Sequence, residues 1–146
     1  MRLSGLRYLV LAAAAATLPW GAQAQQPPPP TPQLFAAMKT PLPPGPFASW
    51  PENARKPALM GVISRCTFMT GMAFGDYQGP KEAFKSVATA VASACIAKVM
   101  PDDWPGKAAE LQQSSNAYEA AKRLDPNAPD PERLAGSIAH AMVNPH

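Results

Sequence analysis

Apolar residues recur with helical spacing in four segments of the chain, and none of these segments shows the alternating pattern of a strand. The segments cover residues 58–75, 81–100, 105–124 and 131–143, and prolines lie between them. Apolar residues at positions i, i+3 and i+4 form the inner face of an amphipathic helix. The sequence therefore predicts an all-α fold, a small bundle of about four helices.

The first two segments carry most of the large apolar residues. The second has an uninterrupted apolar stripe, which consists of Phe84, Val87, Ala88, Val91, Ala92, Cys95, Ile96 and Val99. The first has an inner face of Leu59, Val62, Ile63, Cys66, Met69 and Ala73, and it has further apolar residues off that face, namely Met60, Phe68, Met72 and Phe74. A helix that is apolar all round is usually buried. We therefore expect the first helix to be the central one.

Prolines and acidic residues mark the ends of the later helices. Pro80 suits the first turn of the second helix, and Pro101 ends it. We expect Asp103 to cap the third helix and Asp130 to cap the fourth, because carboxylate oxygens accept hydrogen bonds from free N–H groups at a helix start. The third helix has a thin apolar face, which consists of Ala108, Leu111, Tyr118 and Ala121.

Residues 25–57 form a proline-rich segment with eleven prolines. Proline fixes φ and removes an N–H donor, so we expect an extended, semi-rigid linker that leads into a helical domain at residues 58–146. Pro-x-x-Pro spacing within it would also suit an aromatic-lined groove on a partner. Phe47 and Trp50 are the linker residues that we expect to pack onto the helical domain.

The first 24 residues are organised like a secretory signal peptide. Arg2 and Arg7 precede an uncharged apolar run over residues 8–18, and Ala22-Gln23-Ala24 provides a small-x-small cleavage site. The run is about half as long as a membrane-spanning helix. We therefore expect cleavage after Ala24 and location in the periplasm or outside the cell. Contact with the membrane is expected only through the transient signal peptide.

Removal of the signal peptide also changes the charge of the protein. The whole chain carries 13 Lys and Arg and 10 Asp and Glu. Without Arg2 and Arg7, 11 basic side chains remain against 10 acidic ones, which gives a net charge of +1. The sequence has no basic stripe interleaved with aromatic residues, so we expect no nucleic-acid partner.

Cys66 and Cys95 are the two cysteines of the chain, and both fall on apolar helix faces. In an oxidising compartment such a pair usually forms a disulfide. The sequence offers no Cys-x-x-Cys motif and no nearby His in favour of a redox or metal role. We predict a disulfide between the first and second helices. Cys66 lies nearer the connecting loop than Cys95, so that loop or an unwound helix start has to absorb the difference.

Two sets of residues are candidates for ligand binding. Asp76 and Tyr77 lie in the predicted loop between the first two helices, where binding residues often occur, although a solvated turn also explains them. Thioether and imidazole groups suit Cu(I), so a periplasmic copper site is the second candidate. Methionines at helical spacing also fill cores, and on that interpretation no metal site is predicted. The weak candidate copper ligands are Met69, Met72, His140 and Met142.

Catalysis and cofactor binding are not expected from this sequence. The two histidines, His140 and His146, lie near the C-terminus, so no nucleophile has an evident base. The sequence contains no glycine-rich phosphate loop and no Gly-x-Ser-x-Gly motif. Helix capping explains the adjacent Asp102 and Asp103. We therefore predict a protein that is not an enzyme and that binds no cofactor.

The segment from Cys66 to Gly71, with the sequence CTFMTG, resembles the Cys-x-Gly-Tyr-Ile-x-Gly helix of the Tai family of periplasmic immunity proteins. The second cysteine, Cys95, and a closing helix from Leu134 to Pro145 are similar too. Members of this family are small, exported and helical, and they neutralise peptidoglycan-amidase toxins. The resemblance covers residues 66–145 at most, without the family's proline after the second cysteine, and it implies inhibition of such a toxin.

These observations favour non-catalytic binding of another envelope protein or peptide. Immunity-like inhibition of a cell-wall amidase toxin is the specific form that the resemblance implies. Methionine-based copper binding and a spacer role in the envelope are the alternatives. Binding predicts an exposed apolar patch on the folded domain. Copper binding predicts convergence of the four candidate ligands, and the spacer role predicts neither feature.

Overall fold

Four α helices make up most of the part of the chain that the structure describes. The computed structural model describes residues 41–75 and 77–143, together with Pro32. The helices are α1 (Glu52–Ala73), α2 (Lys81–Val99), α3 (Lys107–Leu124) and α4 (Pro131–Val143), preceded by a 3-10 turn at Phe47–Ser49. The described residues include no strand, so the predicted all-α bundle is confirmed. The predicted signal peptide and the predicted linker as far as residue 40 lie outside the described residues, apart from Pro32.

The central helix is α2, which contacts each of the other three helices. α1 and α4 also contact each other, whereas α3 packs chiefly against α2. Small side chains let neighbours approach α2 from several sides, and its buried residues are Ala83, Val87, Ala90, Val91, Ser93, Ala94, Cys95, Ile96 and Ala97. The expectation that the first helix is central is therefore wrong. Alanine and serine in α2 admit neighbours around most of its circumference, while α1 leaves large apolar side chains in solvent.

Helix α1 begins six residues earlier than the sequence predicts, at Glu52 rather than residue 58. Pro57 lies inside it and has no N–H, so the helix lacks one hydrogen bond in its second turn. The buried indole of Trp50 anchors the chain just before the helix, and its Nε1 donates to the carbonyl oxygen of Gly45 at 3.2 Å. Phe47 is partly buried against the same core, so both linker residues pack as predicted.

Asp103 does not cap the third helix. Its carboxylate accepts hydrogen bonds from the backbone N–H groups of Phe47 at 2.7 Å and Ala48 at 2.9 Å. These are the free donors at the start of the 3-10 turn, so Asp103 caps that turn from a distant part of the chain. Helix α3 begins at Lys107 with no side-chain cap. The Asp103 cap therefore fastens the segment before α1 to the loop after α2.

Helix α4 has the bounds and the cap that the sequence predicts. The Oδ1 of Asp130 accepts a hydrogen bond from the N–H of Glu132 at 3.0 Å, and Pro131 is the first helical residue. The buried residues Ala135, Ile138 and Ala139 face the rest of the bundle. Helix α4 is further joined to α2 by an ion pair of 2.9 Å between the partly exposed Lys98 and Glu132.

Helix α3 attaches through small residues. Its buried positions are Ser114 and Ala121, and the Ser114 hydroxyl donates to the carbonyl oxygen of Ala90 at 2.7 Å. The Lys107 ammonium donates to the carbonyl oxygen of Ala97 and so satisfies an acceptor at the end of α2. Leu111, expected on the inner face, is exposed. The buried face of α3 is therefore even narrower than the sequence predicts, because the close approach of α3 to α2 leaves room only for serine and alanine.

The predicted disulfide joins α1 to α2. Cys66 and Cys95 are bonded with their Cα atoms 5.8 Å apart, and both are completely buried. The thioether sulfur of Met142 lies 3.8 Å from the Cys66 sulfur and 3.9 Å from the Cys95 sulfur, so α4 packs over the bond. Among the described residues, no helix is long and apolar enough to cross a membrane.

Candidate functional site

The outer face of α1 is apolar and exposed. Its large side chains are Met60, Ile63, Phe68 and Met72, with exposed fractions of 53%, 40%, 40% and 66%. The opposite side of the helix is buried through a row of residues four apart, namely Ala58, Val62, Cys66 and Thr70. This row includes the cysteine, so the disulfide fixes which side of α1 faces inward. The four large side chains, which we call the outer face, are consequently held in solvent.

Helix α2 extends past the end of α1. Seven residues separate Cys66 from the end of α1 at Ala73, whereas fourteen separate Cys95 from the start of α2 at Lys81. At about 1.5 Å per residue, α2 therefore extends about 10 Å further from the disulfide than α1 does. Because α2 begins at Lys81 as predicted, the connecting segment and not an unwound helix start absorbs the difference. The first turns of α2 are thus covered by a loop instead of a helix.

An open groove of ≈ 440 Å³ lies where α2 extends past the end of α1. We call it the turn groove, and it is lined by Phe74, Tyr77, Phe84, Lys81 and three glycines. Phe74 is buried, whereas the Phe84 side chain is 39% exposed. The Tyr77 ring packs against both, with centroid distances of 6.1 Å to Phe74 and 5.9 Å to Phe84. The groove is therefore an aromatic recess with an exposed wall.

The loop that forms the groove is fastened by Tyr77. Its hydroxyl donates a hydrogen bond of 2.7 Å to Oδ2 of Asp125, a buried carboxylate that follows α3. Partial burial of the hydroxyl, the hydrogen bond and the negative charge of Asp125 together raise the pKa of Tyr77 to about 12. A Cβ at Gly79 would stand 2.2 Å from the Tyr77 hydroxyl oxygen. Only glycine therefore fits at position 79 beside this hydrogen bond.

The two helices that carry the apolar surface have more basic than acidic side chains among their described residues. Lys56 is exposed and Arg65 half-buried on α1, while Lys81 and Lys85 are exposed on the first turns of α2. The ion pairs that the structure shows among its described residues use Lys98, Lys107 and Lys122 instead. Glu82 is the acidic side chain of the first turn of α2. The outer face and the turn groove therefore present apolar area with basic groups nearby.

One of the two predicted loop residues can be placed. Tyr77 lines the turn groove, but its hydroxyl is already bound to Asp125, so the ring is the part that it presents to a ligand. Asp76 lies outside the described residues. The structure thus places Tyr77 at a candidate binding site. Tyr77 also has a structural role, because its hydrogen bond to Asp125 holds the loop.

The candidate copper ligands lie in different surroundings. Met142 packs on the disulfide, and Met69 packs against the core. Met72 is 66% exposed on the outer face of α1, and His140 is exposed on α4. Within residues 41–75 and 77–143, no group of three or more His, Cys, Asp or Glu side chains could hold a metal ion. Two of the methionines therefore serve packing, as methionines at helical spacing commonly do.

Phe68, Lys81 and Phe84 belong to the candidate site but were not identified from the sequence. The available signal was the presence of Met60, Phe68 and Met72 off the inner face of α1, which we interpreted as burial. Phe84 falls on the apolar stripe of α2, yet its exposure depends on how far α2 extends past α1. Comparison of the chain with protein-family models, with curated proteins and with solved structures finds no match.

Proposed function

We propose that the chain is an exported helical protein that binds another envelope protein or peptide without chemically changing it. The observation that carries this proposal is the exposed apolar surface made by the outer face of α1 and the turn groove. Small soluble domains rarely leave a contiguous apolar surface in water unless it binds something. Four of the large exposed apolar side chains lie on α1, and Phe84 of α2 lies beside the C-terminal end of α1 in the turn groove.

The framework around this surface is held by a covalent cross-link and a hydrogen bond, which suits a preformed binding site. The disulfide holds the middle of α1, and the Tyr77–Asp125 hydrogen bond holds the loop that follows it. A surface that is fixed before association loses little conformational entropy on binding. Leader-directed export, which the N-terminal residues favour, would place this surface in the envelope.

The test is capture of partners from periplasmic extract by the mature protein and by a double variant, Phe68→Asp with Met72→Asp. Both side chains are exposed, so the variant should keep its helix content while its partners are lost. The matched control is Leu111→Asp on α3, which is about as exposed as Phe68 but belongs to another helix. Equal capture by the parent and the double variant would show that the outer face of α1 is not used.

The resemblance to the Tai family gives the proposal its specific form, inhibition of a peptidoglycan amidase. The resemblance rests on the segment from Cys66 to Gly71 and on a second cysteine, Cys95, 29 residues after the first. This form is tested by adding the mature protein to purified amidase toxins and measuring the release of peptidoglycan fragments. Inhibition by the parent and loss of inhibition in the double variant would support it. Full amidase activity in the presence of excess protein would exclude the enzymes tested as targets.

A further inference from the structure

The shape of the turn groove suits a protruding side chain of a partner better than a flat partner surface. It is concave, and its exposed aromatic wall, Phe84, stands opposite the end of α1. A recess of ≈ 440 Å³ accepts one or two large apolar side chains from a partner. An anchor residue buried in such a pocket typically supplies much of the binding energy of an interface. The concavity therefore favours a side chain of a peptide or protein over a lipid surface.

The charges beside the groove select the partner further. Lys81 lines the groove and Lys85 lies one turn along α2, and neither forms an ion pair with a described residue. Glu82 lies between them in sequence, but it does not line the groove. A partner carboxylate beside the groove would therefore meet an ammonium group that has no other anionic partner in the described structure.

The part of the chain that forms α1 and α2 also carries a net positive charge. Residues 52–99, which include α1 and α2, carry six Lys and Arg and three Asp and Glu. Residues 101–143, which include α3 and α4, carry four Lys and Arg and seven Asp and Glu. Lys81 is the one of these basic residues that lines the groove, so the charge that a partner meets at the groove wall is positive.

We infer that the turn groove binds a peptide segment with a large apolar anchor next to a carboxylate, the anchor packing on the exposed side of Phe84 and the carboxylate lying on Lys81. This rests on the proposed binding function and adds the chemistry of the partner. Lys81 acts at the rim, where an ion pair contributes modestly to affinity and more to selectivity. Phe84 supplies the apolar wall and therefore most of the affinity.

The experiment is selection of random linear peptides displayed on phage against the mature, oxidised protein. We expect the selected sequences to combine Phe, Trp, Leu or Met with an adjacent Asp or Glu. The affinity of a synthetic selected peptide should fall about tenfold or more in Phe84→Ala and about fivefold in Lys81→Glu. The counterpart peptide with Lys in place of its acidic residue should bind Lys81→Glu better than it binds the parent.

Arg133→Glu on α4 is the control for net charge, and Leu111→Ala is the control for loss of exposed apolar area. Both should leave the affinity within about twofold, since neither residue lines the groove. Selection of basic peptides, or no enrichment at all, would overturn the inference while leaving binding through the outer face of α1 open to the capture test. Binding to anionic phospholipid vesicles in place of peptides, or self-association through the groove in sedimentation, would overturn it as well.

Discussion

Tyr77 and Asp103 each fasten one loop of the domain to a distant part of the chain. Tyr77 donates to Asp125, which lies 48 residues further along. Asp103 accepts from the backbone of Phe47 and Ala48, about as far away in the other direction. Both are loop residues whose chemistry alone is compatible with ligand binding or capping. Their contacts show that each of them instead fixes a loop, and in the case of Tyr77 this loop forms the wall of the groove.

Replacing Tyr77 by Phe should lower the free energy of unfolding by about 1 kcal/mol, because Asp125 loses a hydrogen-bond donor in a buried position. The pKa of Tyr77 is raised to about 12 in the folded protein. Its contribution is therefore complete below the ordinary tyrosine pKa of about 10 and is lost as pH rises from there to about 12. Urea denaturation at neutral and alkaline pH measures both effects. A parent and variant with parallel pH dependence between pH 10 and 12 would contradict the assignment.

Replacing Asp103 by Ala should release the 3-10 turn, since Phe47 and Ala48 lose their common acceptor. We expect faster hydrogen exchange at these two amides and faster proteolysis before α1, with helix content unchanged. The N–H groups of Ala48 and Phe47 hold the pKa of Asp103 below its usual 3.8. The stabilisation is therefore complete above that value and is lost as pH falls through the lowered pKa. Asp102→Ala is the matched control, because the Asp102 side chain is fully exposed and pairs with Lys107 instead of the 3-10 turn.

At the scale of helices, the disulfide decides which side of α1 is buried. Cys66 and Cys95 are each completely buried, and Met142 of α4 covers their sulfur atoms. The bond thus ties the helix with the most exposed apolar surface to the central helix. It also sets the relative extension of α1 and α2, from which the turn groove arises.

Replacing both cysteines by Ala should lower the free energy of unfolding by about 3–4 kcal/mol, given the 29-residue separation of the two cysteines. Helix content at low temperature should change little, because the buried alanines and valines of α2 remain. Denaturation followed by circular dichroism measures the loss, and reduction of the parent with dithiothreitol should reproduce it. A change below about 1 kcal/mol would show that the bond does not restrain the unfolded chain in the expected way.

The ends of α2 and α4 could be predicted because local signals specify them. Pro80 precedes α2, and Asp130 with Pro131 begins α4. The start of α1 could not, since Pro57 indicates a break. The first turn of α1 is fastened by contacts outside the helix, because Trp50 is buried just before it and the Arg55 guanidinium donates to the carbonyl oxygens of Trp50 and Ala48. Local sequence also gives no access to contacts between distant segments, such as the Asp103 cap.

The candidate site was only partly accessible from the sequence for a related reason. Apolar residues around the whole of α1 are consistent with a central helix and with a docking surface. The choice between them depends on the small residues of α2, which occupy the central position instead. Tyr77 could be selected as a loop residue between two helices, whereas Phe84 and Lys81 required knowledge of where α1 ends relative to α2.

At the scale of the whole molecule, the disulfide depends on the predicted export of the chain. The described domain is small, and one bond joins its outer helix to its centre. Such a bond persists in an oxidising compartment and is rarely formed in the cytosol. The surface proposed for binding would therefore be assembled in its final form only after the chain has left the cytoplasm.

The last prediction follows from this dependence. Expressed with its leader, the protein should be recovered from the periplasm beginning at Gln25, because Ala22-Gln23-Ala24 offers a cleavage site. Its intact mass should be that of residues 25–146 less two hydrogen atoms, the loss that accompanies formation of the Cys66–Cys95 bond. A version begun at residue 25 and made in a reducing cytosol should have both thiols free and react with iodoacetamide once unfolded. Recovery of a periplasmic chain that retains Met1 or carries an added lipid mass would rule out this processing. Free thiols in a correctly cleaved chain would show instead that the disulfide does not form on export. The orientation of α1 would then have to depend on packing alone.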